Sequence, residues 1–260
     1  MPGPEADLAL LVEAAQVAGD IARTHFRRDP EIWTKGDDSP VTEADIAIDR
    51  VLRTDLLAAR PDYGWLSEET EDDAARLRSE RVFIVDPIDG TRAFIDGQTS
   101  FAHSIAIAEA GEIVAGVVYL PMKDKLYAAA RGSGCTLNGQ AVRASSVEDE
   151  RGARILATKP NVQPKHWPGG VPPFERVYRP SLAYRMALVA EGHFDGMVTF
   201  RDTWEWDIAA GVILVQEAGG AVTDGRGETV WFNAPVPQAA GVMAGPATLH
   251  RTLLRRRMGV

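Results

Sequence analysis

Cysteine is nearly absent from this sequence, with Cys135 the single example among 260 residues. An internal disulfide is therefore excluded, and the composition is typical of a reducing, cytoplasmic setting. No neighbour in the sequence favours the thiolate form of Cys135, so we predict an inert structural thiol. The sequence also has no apolar run of about 18 residues, so no transmembrane helix is expected. The start, Met1–Asp7, lacks the basic and apolar segments of a signal peptide.

Positive charge is scarce as well: 28 lysines and arginines stand against 37 aspartates and glutamates, giving a formal net charge of −9. Binding to nucleic acid requires a basic face, so nucleic acid is not expected as a partner. An acidic protein that handles an anionic substrate must neutralise that substrate locally, and bound metal ions would do so. The length is sufficient for one large domain or two small domains that share a core.

The stretch Val82–Arg92 is the most informative part of the chain. Its β-branched residues predict a buried strand that stops at Asp86-Pro87, after which Gly90-Thr91 opens a helix. The carboxylates of Asp86 and Asp89 can converge at the strand end, where the first helical amides favour an anion. Carboxylate oxygens are ligands for hard divalent cations. The stretch therefore indicates a metal-dependent phosphate site, although Pro-x-Asp-Gly is also ordinary turn chemistry.

Three further carboxylates occupy comparable positions. Asp45 lies in the first turn of a helix whose N-cap is Thr42, Glu68 follows a short strand, and Asp207 lies at a helix start. Taken singly, helix capping or solvent exposure explains each of them. Taken together, Glu68, Asp86, Asp89 and Asp207 occupy the strand ends and helix starts at which open α/β folds bind ligands.

The predicted elements indicate an α/β (α+β) protein. Helices near the N-terminus are followed by a meander of strands over about residues 101–142, with Asn138-Gly139 as a hairpin turn. The polar segment 145–152 is the expected domain boundary. We predict an α+β metal- and phosphate-binding domain over residues 1–145. An α/β domain over residues 146–260 is expected to complete the active site.

Several motifs occur in an order that resembles the inositol monophosphatase superfamily of magnesium-dependent, lithium-sensitive phosphatases. They are Pro40-Val41-Thr42-Glu43-Ala44-Asp45, Ser67-Glu68-Glu69, Asp86-Pro87-Ile88-Asp89-Gly90-Thr91, Trp206-Asp207-Ile208-Ala209-Ala210-Gly211 and Glu217-Ala218-Gly219-Gly220. The resemblance covers nearly the whole chain. It implies a layered αβαβα sandwich, with a mostly antiparallel N-terminal sheet and a smaller C-terminal sheet.

The resemblance also implies roles for individual residues. Two to three Mg²⁺ ions are expected, one held by Glu68, Asp86 and the Ile88 carbonyl. A second would be held by Asp86, Asp89 and Asp207, and a third would contact Glu68 through water. Thr91 and Asp45 would orient and deprotonate the attacking water, and the Gly90 and Thr91 amides would hold the phosphate. The resemblance also implies that Ile88, Asp89 and Asp207 contact the substrate.

The substrate is less clearly indicated. Similar inositol and histidinol phosphatases carry a glutamate seven residues before Asp207, whereas this chain has Phe200, which could pack against a nucleobase or belong to the core. Other motifs resemble the 3′(2′),5′-bisphosphate nucleotidases of the CysQ type. They are Asp38-Ser39-Pro40-Val41-Thr42, Leu66-Ser67-Glu68-Glu69, Ser79-Glu80-Arg81-Val82 and Trp204-Glu205-Trp206-Asp207. Ala93 departs from the acidic residue common in such enzymes, and Phe94-Ile95-Asp96-Gly97 resembles histidinol phosphatases.

The leading hypothesis is hydrolysis of the 3′-phosphate of 3′-phosphoadenosine 5′-phosphate, with inositol or histidinol phosphatase as alternatives. A non-catalytic metal- or phosphate-binding regulator is a more remote alternative. The expected partner is a small phosphomonoester, without nucleic acid or membrane, and the resemblance suggests a homodimer. Candidates for contacts with the rest of a nucleotide are Lys159, Arg185 and Arg201.

Overall fold

The computed structural model describes residues 2–28, 30–36 and 39–259. Asp37 and Asp38, which belong to a predicted loop and to the nucleotidase-like motif, lie outside the described residues. The helices in the described ranges are α1 (Pro4–His25), α2 (Glu43–Ala59), α3 (Thr91–Ile95), α4 (Leu182–Ala190), α5 (Glu205–Glu217) and α6 (Ala247–Met258). None of them combines the length and apolar character needed to cross a membrane.

The strands of the first half form a hairpin and a large sheet. The hairpin pairs β1 (Ile32–Thr34) with β2 (Pro40–Thr42). The large sheet contains β3 (Gly64–Ser67), β4 (Arg81–Asp89), β5 (Ala102–Glu109), β6 (Glu112–Leu120), β7 (Lys125–Ala130), β8 (Gly134–Leu137) and β9 (Gln140–Val142). These seven strands lie in sequence order, and every neighbouring pair is antiparallel except β3 and β4. The predicted turn Asn138-Gly139 joins β8 to β9, and both of its residues have positive φ.

The strands of the second half form a smaller, mixed sheet and a separate two-stranded pair. They are β10 (Arg154–Leu156), β11 (Glu175–Val177), β12 (Gly196–Thr199), β13 (Thr203–Trp204), β14 (Gly220–Thr223), β15 (Gln238–Ala239) and β16 (Val242–Pro246). Five of them form the sheet in the order β11-β10-β12-β16-β14, with β10 parallel to both of its neighbours. Strands β13 and β15 form a separate antiparallel pair.

The helices and sheets alternate in layers. One face of the large sheet packs on α1 and α2, since α1, α2 and alternate residues of β4 to β6 share one buried cluster. The opposite face packs on α4 and α5, which also contact the smaller sheet. A third cluster joins the other face of the smaller sheet to α6. This arrangement confirms the predicted αβαβα sandwich.

Glycines allow α5 to lie very close to its neighbours. A Cβ atom placed on Gly116 of β6 would lie 3.0 Å from the Ala210 Cα, and one placed on Gly211 would lie 2.5 Å from the Met186 Cβ. Both distances are too short for ordinary carbon contacts. The position of α5 relative to the sheet and to α4 is therefore fixed by residues that have no side chain.

Strand β4 differs from its prediction. It does not stop at Asp86-Pro87 but continues to Asp89, with a register shift against β5 between Asp86 and Asp89. A bulge removes Pro87 from the regular ladder, where its missing N–H would otherwise leave a gap. A 3₁₀ turn at Ala74–Arg78 lies between β3 and β4.

Candidate active site

Three carboxylates converge where β4 meets the start of α5. Oxygen atoms of Asp86, Asp89 and Asp207 all lie within 4.8 Å of one another. The Ser104 hydroxyl on β5 donates to the Trp206 carbonyl at 3.0 Å, which ties the first turn of α5 to the sheet. The cluster could hold a metal ion. Asp86, Asp89 and Asp207 therefore come together as the sequence predicts.

Burial and the negative charges of neighbouring carboxylates act on Asp86, Asp89 and Asp207. Burial, followed by the charges of Glu68, Asp89 and Asp207, raises the pKa of Asp86 well above its ordinary value. Burial and the Asp89 charge do the same to the pKa of Asp207. Within the described residues, Oδ1 of Asp86 is buried and has no hydrogen-bond partner. A buried anionic oxygen without a partner is unfavourable unless a cation is bound, so this donor set fits a hard divalent cation.

Asp89 has two hydrogen-bond donors that sequence reasoning missed. Its Oδ2 accepts from the Ser181 hydroxyl and from the Ala183 amide, each at 2.6 Å. Burial raises the pKa of Asp89 to about 6, although these two bonds oppose the shift. Ser181 has a φ of 65° and caps α4 by accepting from the Tyr184 amide at 3.0 Å. The position before a helix indicates a cap, but no sequence signal connects Ser181 to Asp89.

Thr91 lies between the cavity and Asp45. Its hydroxyl is 3.0 Å from the Ile88 carbonyl and 3.2 Å from Oδ1 of Asp45. The other Asp45 oxygen accepts from the Thr42 amide at 2.9 Å and from the Thr42 hydroxyl, completing the capping box of α2. Burial raises the pKa of Asp45 to about 6 despite these bonds. The Asp45 carboxylate can therefore exchange a proton near neutral pH.

Glu68 lies apart from the three-carboxylate cluster. Its Oε1 accepts from the Lys35 ammonium at 2.8 Å, and the same ammonium donates to Glu69 at 2.7 Å. Burial and the Glu68 charge raise the pKa of Glu69 to about 7, against the attraction of Lys35. Lys35 follows β1, and no sequence pattern pairs it with either acid.

A cavity of about 310 Å³ opens onto the cluster. The predicted residues Glu68, Asp86, Ile88, Asp89, Gly90, Thr91 and Asp207 all line it. Among the basic candidates, Arg185 and Arg201 line the cavity, as does Arg92, whereas Lys159 does not. Tyr178 contributes an aromatic ring to the same wall and is 51% exposed.

Phe200 is not among the residues that line this cavity. Its ring stacks on His166, with centroids 5.1 Å apart, and lies 5.4 Å from the ring of Trp167. The Arg257 guanidinium carbon lies 4.7 Å from the Phe200 ring centroid. Of the two roles left open by the sequence, these contacts favour packing against the core of the second half.

His103 forms a hydrogen bond to the bulge in β4. It is completely buried, and its Nδ1 contacts the carbonyl oxygen of Pro87. Burial lowers the pKa of His103 to about 4, so the imidazole is neutral at pH 7 and Nδ1 carries the donated proton. The hydrogen bond orients the peptide between Pro87 and Ile88. Sequence reasoning missed this residue because the histidines show no metal-ligand spacing.

Comparison with known proteins identifies relatives along almost the whole chain. The family model described as the inositol monophosphatase family matches residues 4–258. An inositol-1-monophosphatase of Rhizobium meliloti is 37% identical over 232 residues, covering 85% of this chain and 86% of that protein. A histidinol-phosphatase of Chlorobaculum parvum is 34% identical over 230 residues, covering 85% of this chain and 86% of that protein.

Solved structures agree with this result. The crystal structure of the extragenic suppressor protein suhB from Bartonella henselae superposes with a TM-score of 0.84 at 31% identity, covering 96% of this chain and 98% of that chain. The family model and these relatives thus place the chain in a family of phosphatases. The chain belongs to the inositol monophosphatase family.

Proposed function

We propose that this protein hydrolyses phosphomonoesters with Mg²⁺ held by Asp86, Asp89 and Asp207. The observation that carries the proposal is the buried Oδ1 of Asp86, which has no partner within the described residues and lies among like charges. When bound, Mg²⁺ supplies Lewis-acid stabilisation of the phosphoryl oxygens and activation of water. Glu68 and the Ile88 carbonyl line the same cavity and are proposed as further ligands, for two to three ions in total.

Thr91 and Asp45 are proposed to handle the proton of the attacking water. The Thr91 hydroxyl lies at the cavity wall, 3.2 Å from Oδ1 of Asp45. It can accept a hydrogen bond from water and pass a proton to Asp45, whose raised pKa of about 6 suits it to receive that proton. The amides of Gly90 and Thr91 are proposed to hold the phosphate.

For the substrate, we propose 3′-phosphoadenosine 5′-phosphate, which would be converted to AMP and phosphate. The nucleotidase-like motifs around Glu68 and Asp207 support this choice. The cavity supports it as well, because Arg185, Arg201 and Tyr178 offer positive charge and an aromatic ring beside the acidic cluster. A bisphosphorylated nucleotide presents charge and an aromatic base together.

Inositol 1-phosphate or histidinol phosphate is the second candidate. Relatives at 37% and 34% identity carry the corresponding names. The packing of Phe200 against His166 and Trp167 also removes one reason for preferring a nucleotide. These observations favour the alternative independently of each other.

The deciding experiment is phosphate release with Mg²⁺ from all three esters in parallel, with Asp89→Asn as the blank. A kcat/KM at least about a hundredfold higher for the nucleotide, roughly 2.7 kcal/mol of transition-state discrimination, would establish the nucleotidase. A comparable preference for the inositol or histidinol ester would establish the alternative. Stabilisation by Mg²⁺ without turnover of any ester would instead support a non-catalytic phosphate- or metal-binding protein.

A further inference from the structure

Three arginines are buried in the described part of the chain, and one of them differs from the others. Arg76 forms a two-point ion pair with Asp72, and Arg81 pairs with Asp7 and Glu109. Arg185 is just as buried, at 6% exposure, yet it forms no ion pair with any described residue. Burying an unpaired charge is unfavourable, so a buried arginine without a carboxylate indicates an anion that binds from outside the chain.

The protein contacts of Arg185 leave its positive charge uncompensated at short range. Its Nε donates to the Arg179 carbonyl, and its guanidinium carbon lies 4.9 Å from the centroid of the Tyr178 ring. Neither contact is an ion pair. Burial lowers the pKa of Arg185, with partial compensation from Tyr178 and Asp89. Asp89 acts from beyond ion-pair distance, and its Oδ2 is bonded to Ser181 and Ala183.

Arg185 also lies where a substrate would reach it. It lines the cavity that opens onto Asp86, Asp89 and Asp207, and it shares this wall with Tyr178 and Arg201. Arg201 is exposed and likewise forms no ion pair with a described residue. Two arginines and one aromatic ring therefore form a positive surface beside the acidic cluster, in a protein whose net charge is −9.

We propose that Arg185, assisted by Arg201 and Tyr178, binds a second anionic group of the substrate, distinct from the phosphate that is cleaved. This inference rests on the proposed phosphomonoesterase function. It assigns the preference for bisphosphorylated over monophosphorylated substrates to one buried side chain. Guanidinium groups suit this role because they bind phosphate through two parallel hydrogen bonds.

The test compares substrates that share a scissile phosphate and differ in the second one. The first pair is 3′-phosphoadenosine 5′-phosphate and adenosine 3′-monophosphate, and the second is inositol 1,4-bisphosphate and inositol 1-phosphate. The variants are Arg185→Met, which removes the charge, and Arg185→Lys, which keeps it. Arg151→Met is the matched control, because Arg151 is an exposed arginine outside the cavity. The affinity of the protein for each of the four substrates is measured in parallel by calorimetry, without Mg²⁺.

The wild-type protein should favour the bisphosphate of one pair by at least about tenfold in kcat/KM. Arg185→Met should remove most of that preference through KM, Arg185→Lys should keep part of it, and Arg151→Met should keep all of it. An equal loss on both members of a pair would overturn the inference, because Arg185 would then bind the cleaved phosphate or serve the fold. The absence of any preference in the wild type would overturn it as well.

Failure of the proposed function has a different signature. A protein that releases no phosphate but binds the bisphosphate more tightly than the monophosphate, with the difference lost in Arg185→Met, would refute the enzyme and support the anion site. Active turnover with no role for Arg185 would refute the anion site and leave the phosphatase intact.

Discussion

The hydroxyl of Ser181 donates to Oδ2 of Asp89 across a separation of 92 residues in the chain. The bond joins the start of α4 to the end of β4 and orients one carboxylate of the acidic cluster. Because Ser181 has a φ of 65°, a position that favours glycine, the chain tolerates backbone strain at this point. Removing a partner that orients a metal ligand typically weakens metal binding or activity.

We therefore expect Ser181→Ala to raise the Mg²⁺ concentration needed for half-maximal activity by about ten- to a hundredfold. The Ala183 amide would remain as the sole donor to Oδ2 of Asp89. Ser181→Gly is the matched variant, since it also removes the hydroxyl but suits the positive φ. If both variants need the same Mg²⁺ concentration, the lost hydroxyl is responsible for the change in Mg²⁺ binding. If Ser181→Gly also melts at a higher temperature than Ser181→Ala, the difference in stability comes from the backbone at positive φ. An unchanged requirement in both would contradict the assignment.

Removing one buried carboxylate should weaken Mg²⁺ binding and raise the thermal stability of the metal-free protein. In Asp86→Asn, the repulsion from Glu68, Asp89 and Asp207 disappears, so the metal-free protein should have a higher melting temperature than wild type at pH 7.5. Conversely, Mg²⁺ at about 100 times its dissociation constant should add about 2.7 kcal/mol to the free energy of unfolding of wild type and nothing to the variant. Calorimetry with and without a chelator measures both the melting temperature of the metal-free proteins and the stabilisation by Mg²⁺. A destabilised metal-free variant would refute the repulsion.

Thr91→Ala should lower kcat by about a hundredfold or more and change KM little, because the hydroxyl acts on water and not on the bound ester. Thr91→Ser keeps the oxygen near Asp45 and Ile88 and should retain most of the activity. Steady-state kinetics at saturating Mg²⁺ distinguish the two. A loss confined to KM would assign Thr91 to substrate binding alone.

Cys135 should be unreactive in the folded protein. Burial, with a smaller contribution from the Glu217 charge, raises the pKa of its thiol to about 12. At pH 8 the thiolate fraction is then on the order of 10⁻⁴, and the sulfur is inaccessible as well. Titration with a disulfide reagent should give no rapid reaction in buffer and one thiol per chain in guanidinium chloride. Fast labelling of the native protein would mean that β8 opens readily.

The sequence allowed the layered fold and the carboxylates to be predicted because their signals are local. Asp86 and Asp89 follow a β-branched strand, Asp207 opens a helix, and the Thr42 cap is a short-range motif. Roles for these residues in metal binding and water activation stay predictions. So do the boundary near Ser145, the cytoplasmic setting and the homodimer.

Other features of the site depend on contacts between distant segments. Lys35 meets Glu68 only after the β1–β2 hairpin folds beside the strand end, and Arg185 is buried only when α4 packs between the two sheets. Phe200 was ambiguous because its partners, His166 and Trp167, come from an irregular loop with no periodic pattern. The bulge at Pro87 was missed because a proline usually ends a strand.

The close packing of α5 has a consequence for remote substitutions. A single methyl group, as in Gly211→Ala, would meet Met186 and push α4 away from α5, carrying Ser181 and Asp207 apart without altering any ligand. Such a variant should fold, yet need more Mg²⁺ for the same turnover. In a screen for loss of activity it would resemble an active-site mutant, although the change lies inside the hydrophobic core. The site therefore depends on Gly116 and Gly211, which allow the close packing of α5, as well as on its acidic residues.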